Sequence, residues 1–338
     1  WAFYRMKEPL RGGMDGIVTR DDPHPFKASA AVLGAVTPGA NWFMLWHRNA
    51  GARQWAINLG GLAVILAVCF GMTQATQAFS PRPALNALGM TIDPHVLQWF
   101  VVGFGAFVVL NLFQSLKLTD KPTYNVMLSP SLMLLFVVGG LQTAINYGVM
   151  GFTPSFLIRE YGLDQATTGL QFGLLAAGLG IIGPVIAGPL SDFLTTRMGA
   201  KGRVWLTLAS LGVSPFFGIW TYSAPDPFSF YVRFSFYSII LTLWLPPIYS
   251  LYYDLVLPRM RGMASSTYII VSTLLGLGMG PYFVGIVSDR NGGDLGQAII
   301  SINVVAPVIV VILIYVLTRV QRDEDGVRVR ARAAGEPV

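Results

Sequence analysis

Long apolar stretches alternate with short polar segments along most of this chain. From Gln54 onward the apolar runs reach about 20 residues or more, the length that an α-helix needs to cross the hydrocarbon core of a membrane. Ten-residue strands with strict alternation are absent, and helices satisfy their own backbone hydrogen bonds in lipid. The pattern therefore predicts an all-α integral membrane protein with eight spans, at Gln54–Ala78, Val96–Leu116, Ser131–Leu157, Thr167–Leu190, Val204–Tyr222, Phe228–Leu251, Met263–Val287 and Gln297–Leu317.

Composition and charge placement agree with a membrane protein. Apolar residues make up 53% of the chain and charged residues 12%, about half the charge of an ordinary soluble domain. If the segment at Arg197 is cytoplasmic, nearly all Lys and Arg residues fall on the cytoplasmic side, as the positive-inside rule requires. The exceptions are Arg82, Arg159, Arg233 and Arg290. We therefore expect a cytoplasmic C-terminus, and we attribute the net charge of +6 to contact with the lipid bilayer and not to a nucleic-acid partner.

Two charged segments between spans are candidates for a conformational gate. The first, Gly188 to Arg203, reads G-P-L-S-D-F-L-T-T-R-M-G-A-K-G-R and predicts a short basic loop after a helix end. A carboxylate near the membrane needs a partner or water, so Asp192 is expected to pair with Arg197 or Arg203. In the second, Asp254 would pair with Arg259 or Arg261, or these charges would be solvated. The gate candidates are Gly188, Ser191, Asp192, Arg197, Arg203, Asp254, Arg259 and Arg261.

A third motif, G-x-G-x-G-P-x-x-x-G, lies inside the seventh span. Small residues allow membrane helices to approach closely, which makes packing the favoured interpretation. A proline also bends its helix, so the segment is a candidate hinge. It is not a nucleotide-binding loop, because it lacks a preceding strand and a following Lys-Ser/Thr pair. The candidates for hinge or packing roles are Gly276, Gly280, Pro281 and Gly285.

The order of these three motifs resembles the major facilitator superfamily, and its spinster-like branch in particular. The resemblance extends from Ser131 to Leu317 and implies the C-terminal six-helix half of that fold. The opening W-A-F-Y-R and the later E-P-L-R-G are similar to the end of the sixth family helix, so we expect a first half to be missing. The expected divisions are 1–5 as the end of a preceding helix, 6–53 as a cytoplasmic linker, 54–118 as two extra peripheral helices, 119–318 as the six-helix half and 319–338 as a basic cytoplasmic tail.

Polar residues inside the spans indicate where a substrate cavity would lie. The resemblance implies that the first, second, fourth and fifth helices of the half line this cavity. Gln142 and Asn146 are one helical turn apart and share a face. Interhelical hydrogen bonds are the alternative for these two, and a place at the membrane interface is the favoured alternative for the tyrosines. Arg233 would either pair with an anion or snorkel to the interface. The cavity candidates are Gln142, Asn146, Tyr147, Gln171, Tyr249 and Arg233.

The resemblance implies a secondary active transporter that works by alternating access in a bacterial inner membrane. Few charges and many aromatics favour an amphipathic or organic-anion substrate, such as a lysolipid-like molecule, an organic acid or a drug. Protons are the candidate coupling ion, and the coupling carboxylate would belong to the first half. The alternatives are a sensor or scaffold with a transporter fold, or an integral membrane enzyme. Cys69 and the three histidines form no ligand set, so we expect no catalytic residue, metal or cofactor.

Overall fold

The computed structural model describes residues 33–34, 37, 39–87 and 89–337. The expected helix end at Trp1–Arg5 and most of the 6–53 linker lie outside these residues. The described helices are α1 (Ala40–His47), α2 (Ala52–Phe79), α3 (Pro94–Thr119), α4 (Lys121–Met127), α5 (Pro130–Tyr161), α6 (Gln165–Met198), α7 (Ala200–Tyr222), α8 (Pro227–Thr242), α9 (Leu245–Asp254), α10 (Arg261–Ser272), α11 (Gly278–Arg290), α12 (Leu295–Ser301), α13 (Ala306–Asp325) and α14 (Val327–Ala333).

All eight predicted spans are confirmed as helices long and apolar enough to cross a membrane. Five of them are α2, α3, α5, α6 and α7. The sixth joins α8 to α9, where Pro246 and Pro247 begin the second part. The seventh joins α10 to α11 through a π-helical turn at Thr273–Leu277, and the eighth joins α12 to α13 through a 3₁₀ turn at Ile302–Val305. Except at Tyr222, where the predicted and observed ends coincide, the predicted ends lie inside the observed ones, because the helices extend beyond their apolar runs.

Aspartates start five of these helices. Each accepts a hydrogen bond from a backbone N–H of the first turn, which satisfies a donor that the helix itself leaves free. The caps are Asp93 on α3, Asp120 on α4, Asp164 on α6, Asp226 on α8 and Asp294 on α12. These five aspartates therefore mark where their helices begin.

The segment before α3 contains a small hairpin that the sequence pattern did not predict. Strands β1 (Leu85–Ala87) and β2 (Met90–Ile92) pair antiparallel, with Leu85 opposite Ile92 and Asn86 opposite Thr91. The Thr91 hydroxyl donates to the Asn86 side chain over 3.2 Å. Runs of three residues are too short to show alternation in the sequence.

The six spans from α5 to α13 surround a common core. Helix α5 contacts α10, α11 and α13, and buries fifteen of its 32 residues. An aromatic group fills the end near Gly162, where Phe156 packs on Tyr222 and Phe230 with ring centroids 5.2 and 5.6 Å apart. The Thr153 and Tyr222 hydroxyls meet at 2.5 Å beneath these rings.

The extra pair, α2 and α3, packs as a unit against one side of this core. Helix α2 contacts chiefly α3, and α3 contacts α10, α11 and the π-helical turn. The short helix α1 lies beside α3. Its Trp42 indole donates to the Asn58 side chain of α2 over 2.7 Å.

Candidate functional site

Charged side chains gather at the end of the bundle that contains Gly199, which we call the basic end. The predicted loop there is wrong: α6 continues to Met198 and α7 starts at Ala200, so only Gly199 separates them. Gly199 has φ 63°, a left-handed conformation that glycine adopts without strain. Arg197, Lys201 and Arg203 are therefore helical residues, and Asp192 lies within α6 rather than at its end.

The predicted partners of Asp192 are also wrong. Arg203 pairs with Asp254 of α9, which brings the first and second gate segments together. Arg197 lies over the ring of Phe193, 4.3 Å from its centroid. Asp192 is exposed and forms no ion pair with any residue that the structure describes. The pairing differs because Gly199 alone connects α6 to α7, so Arg203 lies in the first turn of α7, which packs against α9.

Arg259 forms the second bridge at the basic end, again with partners other than the predicted Asp254. Its guanidinium reaches Asp120 at 2.8 Å and also pairs with Glu336 of the tail. Burial opposes ionisation of Asp120, but hydrogen bonds from Arg259 and Thr123 and the positive charge of Arg259 outweigh it and lower the pKa of Asp120. Arg259 thus connects the α3–α4 junction to the end of the chain.

The tail from residue 319 onward is folded against the bundle. Asp323, buried in α13, accepts from the backbone N–H of Ser131 at the start of α5 over 3.0 Å. Gln321 accepts from the N–H of Ala200, beside the Gly199 turn, over 3.2 Å. Arg330 of α14 donates to the Asp323 carbonyl over 2.6 Å. A basic segment expected to sit near lipid phosphates therefore also closes the basic end of the core.

A cavity of about 310 Å³ opens between this tail and the second gate segment. Its charged lining comprises Asp254, Arg261, Glu324, Asp325 and Arg328. None of the six cavity candidates named from the sequence is among the described residues that line it. The predicted cavity residues lie elsewhere, along α5, α6, α8 and α9.

Gln142 and Asn146 form the polar face that their spacing predicts on α5. Gln142 is fully buried and donates through its Nε2 to the Asn146 Oδ1 over 3.1 Å. The Gln142 Oε1 atom is buried and has no hydrogen-bond partner in the described part of the chain. Tyr147, the next residue, is 46% exposed. Gln171 is exposed on α6 and forms no hydrogen bond with Gln142 or Asn146.

Three tyrosines continue the polar face toward the basic end. Tyr249 and Tyr252 of α9 meet Tyr268 of α10, with ring centroids 5.2 Å and 4.7 Å from that of Tyr268. The sequence analysis did not identify Tyr268 as a candidate. The feature of the sequence that could have indicated it is Gly139 on α5, because a Cβ added there would lie 2.4 Å from the Tyr268 ring. Only glycine leaves room for this ring against α5.

Arg233 lies at the opposite end and is held by α7. It donates to the Trp220 carbonyl over 2.9 Å, and its guanidinium lies 5.2 Å from the Trp220 ring. This contact satisfies a carbonyl near the end of α7. It supports the interfacial alternative for Arg233 more than a role in binding an anion.

The glycines of the third motif make close helix contacts. A Cβ on Gly276 would lie 2.3 Å from the Thr143 side chain, and one on Gly280 would lie 2.3 Å from the Ala144 carbonyl oxygen. A Cβ on Gly285 would lie 2.9 Å from Arg82. Pro281 lies inside α11, just beyond the π-helical turn. The packing interpretation is therefore directly visible, while a hinge role remains a prediction.

The first gate motif makes fewer contacts. Nothing lies within 4 Å of a Cβ placed on Gly188. Ser191 is buried, and its hydroxyl has no partner among the described residues. No group of three or more His, Cys, Asp or Glu residues that could hold a metal occurs among the residues described.

The sequence has a similarity to known transport proteins. No protein-family model matches it. Over 219 residues it is 28% identical to an MFS-type efflux pump of Mycolicibacterium smegmatis, and the match covers 63% of this chain and 48% of that protein. The chain thus spans about half the length of the curated relative that it matches.

Two solved structures of a bacterial homologue of the human lysosomal transporter Spinster, both inward-facing, are also similar. The unoccupied form is 16% identical with a TM-score of 0.45, and the match covers 81% of this chain and 68% of the chain in that structure. The occupied form is 17% identical with a TM-score of 0.45, and the match covers 91% of this chain and 82% of the chain in that structure. On this sequence match and its eight apolar helices, the chain is a multi-pass membrane protein that is similar to an MFS-type transport protein.

Proposed function

We propose that the chain is part of a spinster-like secondary active transporter that works by alternating access. The motif order supports the branch, and the efflux-pump relative supports transport. In this proposal residues 119–318 form one six-helix half and 54–118 an additional pair. The protein lies in a bacterial inner membrane with the basic end, and hence the C-terminus, in the cytoplasm. Proton coupling is part of the same proposal.

The observation that carries the proposal is the polar face on α5 and α9. Gln142 presents a buried, unpartnered carbonyl oxygen beside Asn146, and Tyr147 and Tyr249 are 46% and 37% exposed. A polar group inside a membrane protein is costly unless it serves a contact, so such groups mark substrate paths. Hydroxyls and carboxamides beside aromatic rings would bind both parts of an amphipathic molecule.

The ion pairs at the basic end would bias the conformational equilibrium. Arg203–Asp254 joins α7 to α9, and Arg259 joins Asp120 to Glu336. Opening of this end would separate these partners, so their loss would favour the open state. The gate assignment therefore moves from Asp192 to Arg203, Asp254 and Arg259.

Transport by reconstituted protein tests the proposal. Proteoliposomes containing the whole natural protein would be given a proton gradient and a lysophospholipid, an organic acid or a cationic drug. Asn146→Ala removes one hydrogen-bonding side chain, worth about 1 kcal/mol, so KM for the transported compound should rise about 5-fold with little change in the maximal rate. Asn303→Ala removes an amide from the 3₁₀ turn and serves as the matched control.

The outcomes separate the parts of the proposal. Gradient-driven movement with a KM change confined to Asn146→Ala supports both transport and the polar face. Equal KM values in all three proteins would overturn the polar face as the binding site. Folded protein that moves none of the compounds, with or without a gradient, would count against transport and favour the scaffold alternative.

A further inference from the structure

The seventh span is interrupted by the π-helical turn at Thr273–Leu277. Such turns widen the helix locally and are often found at functional sites. On one side Gly276 lies against Thr143 of α5, so this side has no free space. The other side of the turn faces α3 of the extra pair. The interruption is therefore enclosed by two helices that belong to different parts of the chain.

Helix α3 contacts both the turn and the residue that follows it. Gln98 donates through its Nε2 to the carbonyl of Gly278, the first residue after the turn, over 2.6 Å. Two turns further along α3, a Cβ added to Gly105 would lie 2.4 Å from the Leu274 side chain. A side chain that bonds to the backbone ladder of a helix is one recognised cause of a kink, and Gln98 supplies such a donor from α3.

The extra pair also holds the far end of α11. Arg82, in the segment before β1, pairs with Asp289 at 2.7 Å. His95 is fully buried, with its ring nitrogens 2.6 Å from the Tyr282 hydroxyl and 2.8 Å from the Ser80 carbonyl. Because that carbonyl only accepts, the Nε2 of His95 donates to it.

We propose that the extra pair is a clamp on the seventh span. It holds α11 in the position seen here through Gln98, His95 and Arg82, and it thereby limits bending at the π-helical turn. Release of these three contacts would leave α11 held mainly by its glycine packing on α5, so that it could bend more readily at the turn. The clamp biases the position of α11 without fixing it, since each contact is a single hydrogen bond or a half-exposed ion pair.

Hydrogen–deuterium exchange of the whole protein in lipid nanodiscs tests the clamp. Gln98→Ala and Arg82→Ala should each speed exchange of the amides in Gly278–Arg290 by about 5-fold or more, while those of α10 keep their rate. Trp42→Phe is the matched control, since it removes one hydrogen bond of the extra pair at Asn58, far from α11. This readout is independent of any substrate and stands apart from the transport assay.

Exchanging the charges of Arg82 and Asp289 distinguishes loss of the clamp from general unfolding. Arg82→Asp and Asp289→Arg should each speed exchange in α11, and the double variant should restore the native rate. Restoration supports the clamp, because a merely damaged fold would not recover. Unchanged α11 exchange in both Gln98→Ala and Arg82→Ala would overturn it, as would equal acceleration in Trp42→Phe.

Discussion

Helices α2 and α5 are both long and apolar, yet they use their residues in opposite ways. Of the 28 residues of α2, three are buried, and all three are polar: Asn58, Thr73 and Thr76. Its large apolar residues, such as Val64 and Phe70, are more than 60% exposed. Helix α5 buries fifteen residues, and most of these are apolar or glycine.

The difference shows what burial means in a membrane. Lipid tails are as apolar as leucine, so exposure of Val64 or Phe70 costs nothing there, whereas a polar side chain gains by finding a partner. Helix α2 therefore turns its few polar residues toward α3 and α1. Helix α5 is surrounded by other helices and is held by close packing, with glycines at the points where neighbouring helices approach it. Polar contacts thus define the extra pair, and close packing defines the core.

The largest expected effect comes from filling a glycine contact in the core. Gly280→Ala would place a Cβ 2.3 Å from the Ala144 carbonyl oxygen, and this backbone atom cannot move aside as a side chain can. Helices α11 and α5 would be forced apart, which costs about 1–3 kcal/mol. The midpoint of thermal unfolding in detergent should fall clearly.

Gly71→Ala on α2 is the matched control, since nothing lies within 4 Å of its added Cβ. Alanine also favours a helix over glycine, so this variant should be neutral or slightly more stable. A fall in stability for Gly71→Ala as large as that for Gly280→Ala would contradict the comparison.

A smaller effect is expected from the polar contacts of α2. Asn58 donates through its Nδ2 to Asn111 Oδ1 and to Gln114 Oε1 of α3, both over 2.8 Å. Hydrogen bonds between membrane helices contribute about 0.6 kcal/mol on average and up to about 1.7. Asn58→Ala should therefore lower the free energy of unfolding by about 1 kcal/mol, with unfolding followed in mixed detergent.

A double-mutant cycle isolates this contact. Asn111→Ala in the Asn58→Ala background should cost less than Asn111→Ala alone, because the shared bond is already absent. Val64→Ala, on the exposed face of α2, is the control and should change little. Strict additivity of Asn58→Ala and Asn111→Ala would show that the carboxamide contact contributes nothing measurable.

The spans were predictable from the sequence because apolar length alone defines them. The apolar pattern alone did not distinguish the positions of α2 and α5, since both read as apolar helices; the peripheral place expected for 54–118 rested on the family resemblance. The polar face of Gln142 and Asn146 followed from helical spacing. The ion pairs did not, because the direction of Arg203 depends on Gly199 being the whole connection between α6 and α7. Tyr268 reaches the site through a gap at Gly139, and only the folded chain shows which residue enters it.

The smallest effect is expected where the extra pair meets the tail in water, at Asp120 and Arg259. The pKa of Asp120 is lowered because bonds from Arg259 and Thr123 outweigh burial. The stabilisation is therefore fully present above the unfolded carboxyl pKa of about 4 and is lost as the pH falls through the lower folded value. The thermal midpoint, measured from pH 6 to pH 3, should fall below about pH 4 in the native protein. In Arg259→Gln the midpoint should be slightly lower at pH 6, and its fall below about pH 4 should be smaller. Identical profiles for the two proteins would show that this bridge does not stabilise the fold.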